Sequence, residues 1–218
     1  MKLNTVIFDM DGLLIDSEPL WSEAATAVFN EYQITITPDQ YATSMGLRTT
    51  EFVEYWFSYF NVPMNNVAEA GAKIEDRVME LVRTKGRVMP GVAHIFNFFR
   101  EKKFRIGLAS SSGSALIVQV MEQLDIAKHI SAFTSAEALE RGKPHPEVYL
   151  NCAKMLETEP AACVCFEDSF NGMIAAKAAR MKCVIVPSSH EIKRPVWQAA
   201  DLKISSLQNF NELLLYSL

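Results

Sequence analysis

The period of the apolar positions changes twice along this chain. Thr5-Val6-Ile7-Phe8 is a β-branched and aromatic run with polar neighbours, which predicts a buried strand over 5–8. From 18 to about 85 no such run occurs. Trp21, Ala24, Ala25, Val28, Phe29 and Tyr32 fall at helical spacing instead, as do Phe52, Val53, Trp56, Phe57 and Phe60, and then Ile74, Val78, Leu81 and Val82. Pro38 and Pro63 punctuate these helices. After Met89-Pro90-Gly91 the short runs return, at about 105–109, 132–134, 163–166 and 183–186. They alternate with helical patterns near 92–102, 114–124, 147–156 and 171–179. Strand-helix alternation predicts parallel βαβ units, hence an α/β fold with a Rossmann-like, doubly wound parallel sheet. The helical stretch is then an insert after the first strand. The expected division is a core of 1–16 plus 88–218 and an α-helical unit of 17–87, with hinges near 15–16 and 87–88.

Composition narrows the function classes. A length of 218 residues suffices for one core and a small insert. The net charge of -5 and the lack of a basic run argue against a nucleic-acid partner. No apolar stretch approaches the ~18 residues of a membrane span. Met1-Lys2-Leu3 leads straight into the first strand, so no signal peptide is expected and a cytoplasmic monomer is the default. Cys152, Cys163, Cys165 and Cys183 show no C-x-x-C spacing and are expected as buried free thiols. The four histidines have no metal-ligand spacing.

The candidate chemistry stands at the ends of the predicted strands, where open α/β sheets place ligands. Asp9 ends the first, and Asp11 and Gly12 follow it. An aspartate is already an anion at neutral pH and needs no base to act as a nucleophile. Asp11 lies in the turn, from where it reaches the same ligand and passes protons. Ser110-Ser111-Ser112-Gly113 ends the second strand before a helix, a setting for anions. Lys143 stands in Gly142-Lys143-Pro144-His145-Pro146, where two prolines restrain the backbone around one cation. Glu167 and Asp168 end the fourth strand. Asp9 and Asp168 brought to 4 Å would repel by roughly 4 kcal/mol at an effective dielectric of 20. A divalent cation removes that cost, and Mg²⁺ suits a few carboxylates plus a phosphate.

Asp9 to Ser17 (D-x-D-G-x-L-x-D-S), Ser110, Lys143 in K-P-x-P and Glu167-Asp168-Ser169, in this order and spacing, resemble the haloacid dehalogenase superfamily over nearly the whole chain. Leu-Leu-Ile-Asp-Ser-Glu-Pro-Leu-Trp, Met-Gly-Leu-Arg and Glu-Asp-Ser-Phe-Asn-Gly-Met look like its bacterial sugar-phosphate phosphatases, of the hexose and hexitol phosphate subgroup, which is close to β-phosphoglucomutase. The resemblance implies a small phosphorylated sugar as substrate. It implies that Asp9 attacks phosphorus, and that Asp11 protonates the leaving oxygen and then activates water. It further implies Mg²⁺ held by Asp9, the Asp11 carbonyl and Asp168 with Glu167 close by. Ser110, the Ser111 amide and Lys143 would hold the phosphoryl oxygens.

A mutase is the first rival. That branch carries a histidine where Trp21 stands, and a lysine near the position of Met45. Dehalogenases lack the second aspartate, and a non-catalytic phospho-sugar binder would be expected to have lost Asp9 or Asp11. Arg48 is the candidate for sugar specificity, with Glu18 and Trp56 behind it. The tight Lys-Pro-His-Pro segment, where related mutases use a cis bond, predicts a cis Lys143-Pro144 peptide.

Overall fold

The computed structural model describes residues 2–218. Six parallel strands form one sheet: β1 (Thr5–Phe8), β2 (Arg105–Ser110), β3 (Ala132–Ser135), β4 (Cys163–Glu167), β5 (Lys182–Ile185) and β6 (Leu202–Lys203). Their order is β3-β2-β1-β4-β5-β6, so the chain starts in the middle and winds outward both ways. The expected α/β architecture is met. The sixth strand escaped the sequence pattern because two residues are too few to show a period.

Alternation along the strands divides the core. Val6, Phe8, Leu108, Val164 and Phe166 face one side, with Phe8 stacked on Phe96 at 5.1 Å. That side is covered by α5 (Val92–Glu101) and α6 (Ser114–Gln123). Ile7, Ala109, Cys163, Cys165 and Cys183 face the other, under α7 (Glu147–Met155) and α8 (Phe170–Ala178). Strands buried on both faces explain why their apolar runs are unbroken. All four cysteines are free and buried; burial pushes the Cys152 thiol up to about 12, which leaves it inert.

Between β1 and β2 stand α1 (Glu18–Glu31), α2 (Pro38–Thr43), α3 (Thr49–Tyr59) and α4 (Val67–Lys85), and no strand occurs among the described residues of that stretch. Phe29 stacks on Phe52 at 5.4 Å among these helices, and their buried residues run on into the core on the Val6 and Phe8 side of the sheet. The two links to the sheet run side by side. Asp16 donates to the Arg87 carbonyl at 2.8 Å, and Met89 to that of Leu14 at 2.9 Å. A short helix, α9 (Glu212–Ser217), ends the chain. Among the described residues, no helix is long and apolar enough to cross a membrane.

Candidate active site

Register decides what meets at the sheet's carboxyl edge. Phe8 pairs with Leu108 on one side and Phe166 on the other, so the residues that follow each of them converge. Asp9 continues the pairing through its amide, which donates to the Phe166 carbonyl at 3.0 Å. Beneath it lies Lys143, 1% exposed. The Lys143 Nζ donates to Asp9 Oδ1 at 2.5 Å, Glu167 Oε1 at 2.6 Å and the Ala109 carbonyl at 3.2 Å. It also sits 5.0 Å from the centre of the Tyr149 ring. Burial alone would discharge this ammonium, but the Asp9 and Glu167 carboxylates outweigh it and hold it charged. The Lys143-Pro144 peptide is cis.

Glu167 is fully enclosed. Its Oε1 accepts from the Tyr149 hydroxyl at 2.5 Å, and its Oε2 from the Asp168 and Ser169 amides at 3.2 and 3.3 Å. Asp168, 8% exposed, stands beside it with no basic partner among the described residues. One oxygen each from Asp9, Glu167 and Asp168 lie within 4.8 Å of one another. Burial first, then the neighbouring carboxylates, pushes both Asp9 and Asp168 well above the usual range, Lys143 opposing. Four acids, counting Asp11, share one ammonium. An all-oxygen cluster with this excess of negative charge fits a hard divalent cation.

Asp11 is gripped on both edges. Oδ1 accepts from the Ser17 hydroxyl at 2.7 Å and the Trp21 indole N–H at 2.9 Å. Oδ2 accepts from the Ser112 hydroxyl at 2.7 Å and that of Ser110 at 3.3 Å. Gly12 takes φ +70°, and a Cβ there would run into the Asp168 carboxylate. Asp9, Asp11, Trp21, Ser110, Ser112 and Asp168 line a cavity of about 60 Å³ between the sheet edge and the helical insert. Glu18, Tyr41 and Met45 are shared with an outer cleft of about 730 Å³. Burial, then the nearby Asp11 charge, raises Glu18 to about 8, against the Tyr41 hydroxyl.

Asp9, Asp11, Ser110, Lys143, Glu167 and Asp168 are thus brought together. The Ser111 side chain turns to the insert, donating to the Gly46 carbonyl at 2.7 Å. Arg48, expected against the sugar, is absent from the cavity wall. Its guanidinium is engaged by Glu51 and by the carbonyls of Ala136, Leu139 and Glu140. Trp56 is likewise buried in the insert, its indole N–H donating to Ser44 Oγ. Sequence reasoning passed over Ser17, Ser112 and Tyr149 as partners of the site. Ser112 carried a signal, in the serine run after β2, whereas Tyr149 resembles any apolar helix position.

The sequence matches the haloacid dehalogenase-like hydrolase family over residues 6–186. The chain belongs to this family. Within it, the chain is 40% identical over 209 residues to hexitol phosphatase B of Escherichia coli K12, covering 94% of this chain and 93% of that one. It is 31% identical over 180 residues to a phosphorylated carbohydrates phosphatase of Thermotoga maritima, covering 81% and 82%. Among solved structures, a β-phosphoglucomutase from Clostridium difficile superposes with a TM-score of 0.86 at 21% identity, covering 98% of this chain and 96% of that one, a likeness of fold.

Proposed function

We propose that this haloacid dehalogenase-like hydrolase is a Mg²⁺-dependent phosphatase of small sugar phosphates, of the hexose or hexitol phosphate type. The observation that carries the reading is the meeting of Asp9, Asp168 and the hydrogen-bonded Asp11 around one cavity, with Lys143 bonded to Asp9 from behind. The resemblance to enzymes named for hexitol phosphates supports the substrate class.

The Asp9 carboxylate, the Asp11 backbone carbonyl and Asp168 would hold the metal, with Glu167 behind them. Mg²⁺, when bound, neutralises carboxylate and phosphoryl charge so that the two anions can approach. Asp9 attacks phosphorus, the bond to the sugar oxygen breaks, and Asp11 gives its proton to that oxygen. The products are an aspartyl phosphate on Asp9 and a free sugar hydroxyl. Asp11 then takes a proton from water, whose oxygen attacks the same phosphorus; the Asp9–phosphorus bond breaks, which restores the Asp9 carboxylate and releases inorganic phosphate. The serine hydroxyls around Asp11 donate or accept as they rotate, so they accommodate both of its protonation states. Lys143, Ser110 and the Ser111 amide hold the phosphoryl oxygens, where charge-assisted bonds aid transfer. The helical insert, as a cap over 17–87, excludes water and selects the sugar. In this reading Trp21, a donor with no titrating group, meets Asp11 where the mutases have histidine, which favours hydrolysis over isomerisation.

The test is phosphate release from a panel of hexose and hexitol phosphates, with Mg²⁺ and with EDTA. Turnover is expected only with metal. Asp9→Asn is expected to abolish it, and Asp11→Asn to lower it by about 10²–10⁴. Near-wild-type turnover by Asp9→Asn refutes the aspartyl-phosphate mechanism.

A further inference from the structure

The groups engaged by Arg48 are not scattered. It stands at the start of α3 and reaches the loop 136–142, which ends one residue before Lys143. Its Nη1 donates to the carbonyls of Leu139 at 2.5 Å and Ala136 at 3.3 Å, and its Nη2 to that of Glu140 at 3.3 Å. Nη2 also donates to Glu51 Oε1 at 2.6 Å, and that same oxygen accepts the Gly142 amide at 3.1 Å. One ion pair from the insert therefore satisfies three carbonyls and one amide of an irregular loop. Gly142 leaves no room for error, since a Cβ there would strike Glu51 and Arg48.

The pair is largely screened from water, with the side chains 17% and 27% exposed. Burial pushes the Glu51 carboxyl up, yet the bonds from Arg48 and Gly142 outweigh this and hold it below the usual range. The same stretch of the insert grips the other site loops. The Gly46 carbonyl takes the Ser111 hydroxyl at 2.7 Å, and the Met45 carbonyl takes Asn171 Nδ2 at 2.8 Å.

We propose that Arg48 and Glu51 are positioning residues for Lys143, clamping the loop that carries it so that docking of the helical insert and presentation of the phosphate-binding cation are one event. This rests on the role given to Lys143 above. A guanidinium suits the task because its planar fork serves several carbonyls at once, whereas a lysine in its place supplies one point charge.

The full-length protein with Arg48→Ala, Arg48→Lys or Glu51→Gln tests this. In Arg48→Ala, amide hydrogen exchange should quicken in 136–142 while β1 and β4 keep their protection. Turnover should fall by about tenfold to a hundredfold, the scale of a misplaced catalytic group, and competitive inhibition by inorganic phosphate should weaken with it. Added guanidinium ion should restore much of both. Arg48→Lys should recover little, and Glu51→Gln should shift every reading the same way but less. Unchanged exchange in the loop with unchanged phosphate inhibition overturns the proposal. So does a loss that guanidinium leaves in place while exchange rises throughout the molecule. Lys143→Met, measured alongside, separates the two readings. If it is inactive while Arg48→Ala is normal, the clamp alone fails; if it turns over and binds phosphate like wild type, the role of Lys143 fails.

Discussion

Replacing Lys143 by Met keeps an unbranched apolar stem and removes the ammonium with the hydrogen bonds it donates. That charge is 1% exposed and touches Asp9 and Glu167 at 2.5 and 2.6 Å. At such distances and an effective dielectric of 20, each contact is an attraction of about 6 kcal/mol. Desolvation of the three ions offsets most of it. What remains on deleting one partner is the cost of the carboxylates left behind, about 3–5 kcal/mol. For a chain of this length each kcal/mol moves Tm by about 2–4 °C, so a fall of about 6–20 °C is expected. The pH dependence has a definite sign. Asp9 in the folded state already lies above its ordinary 3.8, chiefly through burial, and losing the ammonium raises it further. The folded protein then keeps a proton that the unfolded chain has released, so its stability falls as pH rises above 3.8. The deficit of the variant should be smallest near pH 4 and widen toward pH 8. Thermal unfolding followed by circular dichroism in metal-free buffer measures it. A Tm within about 2 °C of wild type at neutral pH refutes the view that this cation holds the carboxylate cluster together.

Gly12→Ala places a Cβ against the Asp168 carboxylate at a residue with φ +70°. A left-handed conformation costs a non-glycine residue about 1–2 kcal/mol. The greater effect should be a weakened metal site, seen as a rise in the Mg²⁺ concentration for half-maximal rate, and an unchanged Mg²⁺ dependence rules this out. Glu18, raised to about 8 from 4.5, holds a proton in the folded state across that window. Stability should therefore fall as pH rises from 4.5 to 8. Glu18→Gln should flatten that fall by at most about 1.4 kcal/mol per pH unit, less for its partial exposure. Urea unfolding in EDTA at several pH values measures the slope, and identical slopes refute the assignment.

The strands β1 to β5 and the helices between them were legible in the sequence because each buries a face and so repeats with its own period. The acids at Asp9, Asp11, Glu167 and Asp168 were legible because strand ends in a parallel sheet share one edge. What lies far apart in the chain was decided by tertiary structure alone. The meeting of Trp21 with Asp11 depends on how α1 leaves the sheet. The Tyr149 hydroxyl finds Glu167 only because α7 packs across β1, β2 and β3 beside the end of β4, and nothing local distinguishes that tyrosine from a core aromatic. Arg48 is the clearest case: beside a short Met-Gly-Leu segment it resembles a substrate contact, since a lone arginine near a cavity is read as a partner for ligand oxygens. Besides Glu51, its actual partners are backbone carbonyls 88 to 92 residues away, and backbone groups leave no mark in sequence. Their need for donors arises only once the loop is folded and half-buried.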